Sequence, residues 1–200
     1  MIKEKEIEQG SPEWFSAKAG MPSASSFDKI VTTKGVASTS AKKYMYQLAG
    51  ESITGTKEDS YQSPAMTRGI EMEAEAREMY EFIKEVKVET VGMCYKDEKK
   101  LFLCSPDGLV GDDGGLEIKC PTMAVHVEYL LDQKMPTKYF QQVQGSMFVT
   151  SRKWWDFMSY YPGMKPFIIR VERNEGFIRL LEKELKELCV GLETTINKIK

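Results

Sequence analysis

Between residues 86 and 120 the chain changes its hydrophobic period, and that change limits the fold more than any other feature. Upstream, residues 64–86 are rich in Ala, Met and Glu, all strong helix formers, and Met66, Ile70, Ala74 and Tyr80 recur where a helix would face a core. Downstream, residues 86–95, 101–104, 108–110 and 116–120 are short apolar or β-branched runs cut by Gly, Pro and Asp. They predict an antiparallel meander whose last tight turn is Asp112-Asp113-Gly114-Gly115.

The flanking segments are helical or extended by the same criteria. Ser11 caps and Pro12 opens a short helix over residues 11–20, with Trp14 on its apolar face. Ser23-Ala24-Ser25-Ser26 offers a second N-cap, ahead of a helix through Phe27, Ile30 and Val31 that Lys34-Gly35 closes. A longer helix is expected over residues 41–49, and the polar residues 50–63 read as a loop. Beyond the meander come helices over 122–131 and 137–149, then strands over 154–160 and 167–171 split by Tyr161-Pro162-Gly163. A final helix from Asn174 carries Phe177, Ile178, Leu181, Leu185, Leu188, Leu192 and Ile196 on one stripe. Helices flanking a largely antiparallel or mixed sheet make an α/β (α+β) fold, and 200 residues, 42% of them apolar, suffice for one domain over 1–200.

Composition narrows function mainly by exclusion. There is one histidine, His126, and no Gly-x-Ser-x-Gly, which argues against Ser-His-Asp or Cys-His chemistry. Neither a Gly-x-x-x-x-Gly-Lys-Ser/Thr loop nor Gly-x-Gly-x-x-Gly occurs, so nucleoside triphosphate and dinucleotide readings have no motif behind them. Cys94, Cys104, Cys120 and Cys189 lack metal-ligand spacing and are expected to be reduced and mostly buried. A net charge of −2 does not point to nucleic acid, and the basic groups at Lys96, Lys99, Lys100 and Arg152-Lys153 read as solvated surface. No apolar run approaches bilayer length, and Met1-Ile2-Lys3-Glu4-Lys5-Glu6 is not the start of a signal peptide, so a cytoplasmic location is expected. Chemistry on carboxylates and lysine remains.

Glu117-Ile118-Lys119 supplies it. On a strand, residues two apart share a face, so Glu117 and Lys119 point together while Ile118 points to the core. Asp107 lies ten residues before Glu117, and pairing of 108–110 with 116–118 would bring the two acids to one end of a hairpin. Converging carboxylates repel unless a cation lies between them, and oxygen ligands suit Mg²⁺ or Mn²⁺. Such a site hydrolyses phosphodiesters, with Lys119 orienting or deprotonating water and balancing charge. Glu71, Glu73, Glu75 and Glu78 are candidates for a further ligand. Plain structural readings stand beside these: Ser105-Pro106-Asp107-Gly108 is a good β-turn, and Glu117 with Lys119 could be an exposed ion pair.

The same residues sit in a series of ordered blocks. Gln9-Gly10-Ser11-Pro12-Glu13-Trp14, Gly20, Ala24-Ser25, and Arg68-Gly69 with Glu73 and Ala76 come first. Cys104-Ser105-Pro106-Asp107-Gly108-Leu109, Leu116-Glu117-Ile118-Lys119-Cys120-Pro121 and Tyr139-Phe140-Gln141-Gln142-Val143-Gln144 leading into Ser146-Met147 follow. From about residue 8 to about residue 171, apart from the loop around 50–65, the chain resembles the phage lambda exonuclease and YqaJ-type viral recombinase family of the PD-(D/E)XK nuclease superfamily.

The resemblance implies a restriction-endonuclease-like core with a mixed central sheet. It also implies Asp107, Glu117, Glu73 and the Ile118 carbonyl as ligands of two Mg²⁺ ions, replaceable by Mn²⁺, with Lys119 as catalytic lysine and Gln142 near the reactive water. Ser25 matches a pocket for the 5′-phosphate of the digested strand, but the arginine expected beside it is Lys18, which loses the planar fork. The implied activity is processive 5′-to-3′ digestion of linear double-stranded DNA by a homotrimeric ring, leaving 3′ overhangs for a single-strand annealing partner, in a phage or prophage setting. A structure- or sequence-specific endonuclease and a catalytically silent DNA-binding module are the alternatives.

Overall fold

The computed structural model describes residues 1–58 and 64–200, the side chains of residues 64–66 excepted. In chain order the elements are β1 (Ile2–Glu4), α1 (Pro12–Lys18), a 3₁₀ helix (Ala24–Lys29), α2 (Ala41–Thr54), α3 (Pro64–Lys84), β2 (Val88–Glu89), β3 (Met93–Tyr95) and β4 (Leu103–Cys104). There follow β5 (Gly108–Val110), β6 (Gly114–Lys119), α4 (Met123–Asp132), a 3₁₀ turn (Thr137–Tyr139), α5 (Phe140–Thr150), β7 (Trp154–Ser159), β8 (Phe167–Glu172) and α6 (Glu175–Ile199).

Two sheets form. The smaller runs β1-β3-β4 and the larger β2-β5-β6-β7-β8. The larger is mixed, as expected: β6 and β7 are parallel, from Gly114 opposite Trp154 to Lys119 opposite Ser159, and its other pairs are antiparallel. A parallel pair needs a crossover, here α4 and α5. α5 is buried along almost its whole length, Phe140 and Gln142 excepted, and shares the main core with α2, α6 and the 3₁₀ helix. Gly145 permits that contact, because a Cβ there would lie 2.4 Å from the Phe27 ring. On the other face of the sheet, Ala76 and Tyr80 of α3 pack with Leu116, Ile118, Met158 and Tyr160. Alternation along β6 therefore gives Leu116 and Ile118 to α3 and leaves Glu117 and Lys119 for the face toward α5. Among the described residues no helix is long and apolar enough to cross a membrane.

Several expectations need correction. The runs between 86 and 120 are not one meander, since β3 and β4 join β1 in the small sheet while β2 pairs with β5 in the large one. The hairpin turn precedes its expected position: Val110 pairs with Gly114, so Gly114 and Gly115 belong to β6 and Gly111 takes the positive φ of 52°. The segment after Ser23 forms only a 3₁₀ helix, and Lys34-Gly35 turns a small loop in which Val31 bridges Ala37. α2 continues to Thr54 with Gly55 left-handed at its end, so 50–54 are helix; residues 59–63 of the expected loop lie outside the described residues. On α3, Ile70 is 62% exposed and Ala74 is exposed too, while the Met66 side chain lies outside the described part; Ala76 and Tyr80 are its buried positions. Arg152 is no surface residue: it is buried and its Nη1 donates to the carbonyls of Val110, Gly111 and Gly114. The cysteines are free, three buried and Cys189 partly so.

Candidate functional site

The site begins where β5 ends. Gly108 pairs with Leu116, and one step beyond the ladder the Asp107 side chain replaces a strand: its Oδ2 accepts from the Ile118 N–H at 2.6 Å. In a strand a residue's N–H and C=O face one edge, so the Ile118 carbonyl is turned to the same open edge beside Asp107. The amino-terminal block braces this turn. Gln9 Nε2 donates to the carbonyls of Val91 and Pro106, both at 2.9 Å, and Trp14 Nε1 to the Gly92 carbonyl at 3.0 Å and Ser105 Oγ at 3.2 Å.

Glu117 is 1% exposed, which removes the exposed ion-pair reading. Its Oε1 accepts from Lys119 Nζ and from Gln142 Nε2, each at 2.5 Å, and its Oε2 is buried with no hydrogen-bond donor among the described residues. Lys119 Nζ lies 5.3 Å from the ring centroid of Tyr139, which stacks on Phe157. Of the four candidate glutamates on α3, Glu71, Glu75 and Glu78 are exposed, and Glu75 is taken by the Tyr160 hydroxyl. Glu73 instead accepts from Arg77 Nη2 at 2.5 Å, and Arg77 Nε donates to the Asp107 carbonyl at 2.9 Å, so Glu73 and Asp107 are linked through one guanidinium.

The electrostatics follow from crowding acids into an interior. Burial pushes the Glu117 carboxyl up to about 7, aided by Asp107 and Glu73 and opposed by Lys119. Burial, then Asp107, pushes Glu73 up to about 7 as well, and burial raises Asp107 against the pull of Lys119, the Ile118 N–H and Arg77. Burial works against the Lys119 charge, but Glu117 and Asp107 outweigh it and hold the ammonium above its ordinary value.

Among the described residues no three His, Cys, Asp or Glu side chains converge closely enough to hold an ion. Glu73 is drawn to Arg77, and Glu117 to Lys119 and Gln142. The donor set still suits a hard divalent cation: oxygen only, three carboxylates whose ionisation is suppressed, and a buried Glu117 Oε2 lacking a donor.

Beside the acids opens a cavity of about 1160 Å³ whose lining includes Lys18, Ser25, Lys57, Glu73, Arg77 and Asp107. Lys18 is 6% exposed, its Nζ 3.7 Å from the Trp14 ring centroid. Burial, reinforced by Lys57, draws its proton affinity down to about 7. Ser25 is exposed on the 3₁₀ helix, its hydroxyl 3.3 Å from that of Ser23. Glu117, Lys119 and Gln142 lie outside this lining. The structure thus gathers Asp107, Ile118, Glu117, Lys119 and Gln142 by direct contacts, adds Glu73 through Arg77, and puts Lys18 and Ser25 on the adjoining wall.

Sequence reasoning missed Arg77 and Lys57. Arg77 had a signal, since it follows Glu73 by four residues on a helix, the spacing of a same-face ion pair. Lys57 had none, lying in a polar stretch without periodicity.

Residues 13–153 match the family described as the YqaJ-like viral recombinase domain. Among solved structures, an alkaline exonuclease (LHK-Exo) from Laribacter hongkongensis is 35% identical, with a TM-score of 0.85 over 94% of this chain and 96% of that one. A structure of LHK-Exo in complex with dAMP gives 36% identity and a TM-score of 0.85, over 95% and 96% of the two chains. A phage-related exonuclease from Haemophilus somnus 129PT, 13% identical with a TM-score of 0.67 over 90% and 96%, shares the fold. No curated protein matches the sequence.

Proposed function

The chain belongs to the YqaJ-like viral recombinase family, and from that premise we propose that it is a divalent-metal-dependent exonuclease acting on linear double-stranded DNA. Digestion runs 5′-to-3′ and processively, and leaves 3′ single-stranded overhangs for recombination by strand annealing. The observation that carries this reading is the end of the β5–β6 hairpin, where Asp107 caps Ile118 and a buried Glu117 shares one oxygen with Lys119 and Gln142. An alkaline exonuclease with the same fold and about a third of the same residues supports it.

Glu73, Asp107, Glu117 and the Ile118 carbonyl would hold Mg²⁺, as two ions, with Mn²⁺ as a substitute. The metal supplies an acidified water and neutralises charge growing on the phosphate oxygens. Lys119, on the same face as Glu117, orients or deprotonates the attacking water and balances the charge growing on the phosphate. Gln142 holds Glu117 from the α5 side and can orient the reactive water. On the cavity wall, Lys18 and Ser25 receive the 5′-phosphate, Lys18 as a point charge. The 200 residues act as one domain in a homotrimeric ring around DNA, in the cytoplasm of a bacterial host, beside a single-strand annealing protein.

The test is Mg²⁺-dependent digestion of linear duplex with 5′-phosphate, linear duplex with 5′-hydroxyl, and closed circular duplex, with Lys119→Ala as control. Linear DNA should be degraded and the circle left intact, and Lys119→Ala should be slower by roughly 10²–10³-fold, the scale for losing one charge-stabilising group. Cutting of the circle favours the endonuclease reading. Inactivity on all three, or wild-type activity in Lys119→Ala, overturns the nuclease reading.

A further inference from the structure

Arg77 stands one helical turn after Glu73, and its guanidinium joins two separate arms of the site. Nε donates to the main-chain carbonyl of Asp107 at 2.9 Å and Nη2 to Glu73 Oε1 at 2.5 Å. A planar fork with fixed donor directions can satisfy both acceptors at once. The packing of α3 does not do this work, because its buried contacts come from Ala76 and Tyr80, while Ile70, Glu73, Ala74 and Arg77 line the cavity.

We propose that Arg77 is a positioning residue: it sets the Glu73 carboxylate against the Asp107 turn, so that the two acids can share a divalent cation. The inference rests on the metal-dependent reading of the site given above. Two consequences of opposite sign follow from the contact. As a cation beside the carboxylates, Arg77 opposes uptake of a second cation by charge alone. As a clamp on Glu73 and the Asp107 backbone, it favours uptake through geometry. Lysine separates the two effects, since it keeps the charge and lacks the fork that makes both bonds.

Mn²⁺ is titrated calorimetrically into the intact chain without DNA, for wild type, Arg77→Lys, Arg77→Ala, Glu73→Gln and the Arg77→Lys/Glu73→Gln pair, with circular dichroism confirming the fold of each. Arg77→Lys should weaken uptake at one site by roughly 10–100-fold, the scale for removing a group that orients a metal ligand. It should raise the Mn²⁺ concentration for half-maximal digestion, with kcat regained at saturating Mn²⁺, which a merely structural role would not produce. In the Glu73→Gln background Arg77→Lys should change little further. Uptake by Arg77→Lys as tight as wild type, or tighter, overturns the proposal, and this variant decides if Arg77→Ala does not fold. A wild type that takes up no Mn²⁺ sinks the metal-dependent reading itself, whereas normal wild-type uptake with unaltered Arg77→Lys sinks only the role of Arg77.

Discussion

Lys18 shows how burial changes what a charged residue can do. Its ammonium sits against Trp14 with Lys57 as a neighbour, and burial followed by that neighbour brings its pKa to about 7, far below the value of 10.5 that it has in the unfolded chain. A lysine with a depressed folded value is charged only below that value, so as pH rises through about 7 it loses the charge that would hold a phosphate. The ratio of digestion rates for 5′-phosphate and 5′-hydroxyl ends should therefore fall as pH rises from about 7, where the phosphate (second pKa about 6) is already largely a dianion, to about 8.5 in the wild type. Lys18→Arg stays charged throughout and should keep the ratio flat and higher, by about tenfold at pH 8.5, the worth of one charge-assisted hydrogen bond. Taking the ratio at each pH cancels any titration of the acids. A ratio independent of pH in both proteins would remove Lys18 from the phosphate site. The lysine itself was legible in the sequence; its burial was not, because the shielding Trp14 is in turn held by Gly92 and Ser105 from distant segments.

At the scale of elements, the β5–β6 hairpin is the part on which the candidate site depends. Gly114 and Gly115 lie under the rings of Trp154 and Trp155, where an added Cβ would come to 2.0 Å and 2.2 Å of ring carbons. Gly115→Ala should destabilise by roughly 1–3 kcal/mol through overpacking against a fully buried indole, read as a lower urea midpoint at unchanged slope. Arg152 closes the turn by donating to three carbonyls, so Arg152→Met should cost roughly 2–4 kcal/mol by the same measurement, several buried acceptors losing a charged donor. The hairpin could be read from Asp107-Gly108 and Glu117-Ile118-Lys119, yet the expected turn at Asp112-Asp113-Gly114-Gly115 was misplaced. Local turn chemistry favours Asp-Gly, whereas the parallel partner β7, some forty residues on, draws both glycines into the strand.

For the molecule as a whole, a cluster of buried acids ties stability to pH and to cations. Glu73 and Glu117 carry folded values of about 7 against 4.5 for the free side chain. Raised acids bind more protons folded than unfolded, so their contribution to stability is greatest below about 4.5 and is lost as pH rises to about 7. A cation that binds the carboxylates offsets the loss. Mn²⁺ should accordingly raise the thermal midpoint more at pH 8 than at pH 5.5, and Glu117→Gln should shrink that difference. Equal shifts at both pH values would contradict ion binding by these acids. The proposed ring makes a further demand, a sedimentation mass of three chains.

Taken alone, the sequence determined the kinds and order of most elements, β1 and the 3₁₀ helix after Ser23 excepted, because helix and strand periods, an N-cap such as Ser11, and the same-face spacing of Glu117 and Lys119 are local properties of the chain. It also held the ordered blocks by which the family was recognised. Only the tertiary structure decided which strands share a sheet, that Glu117 and Lys18 are buried and Ile70 is not, that Arg77 ties Glu73 to the Asp107 turn, and that Arg152 is internal. Strand partners, burial and the proton affinities that follow from burial arise from contacts between residues far apart along the chain, and no local pattern encodes them.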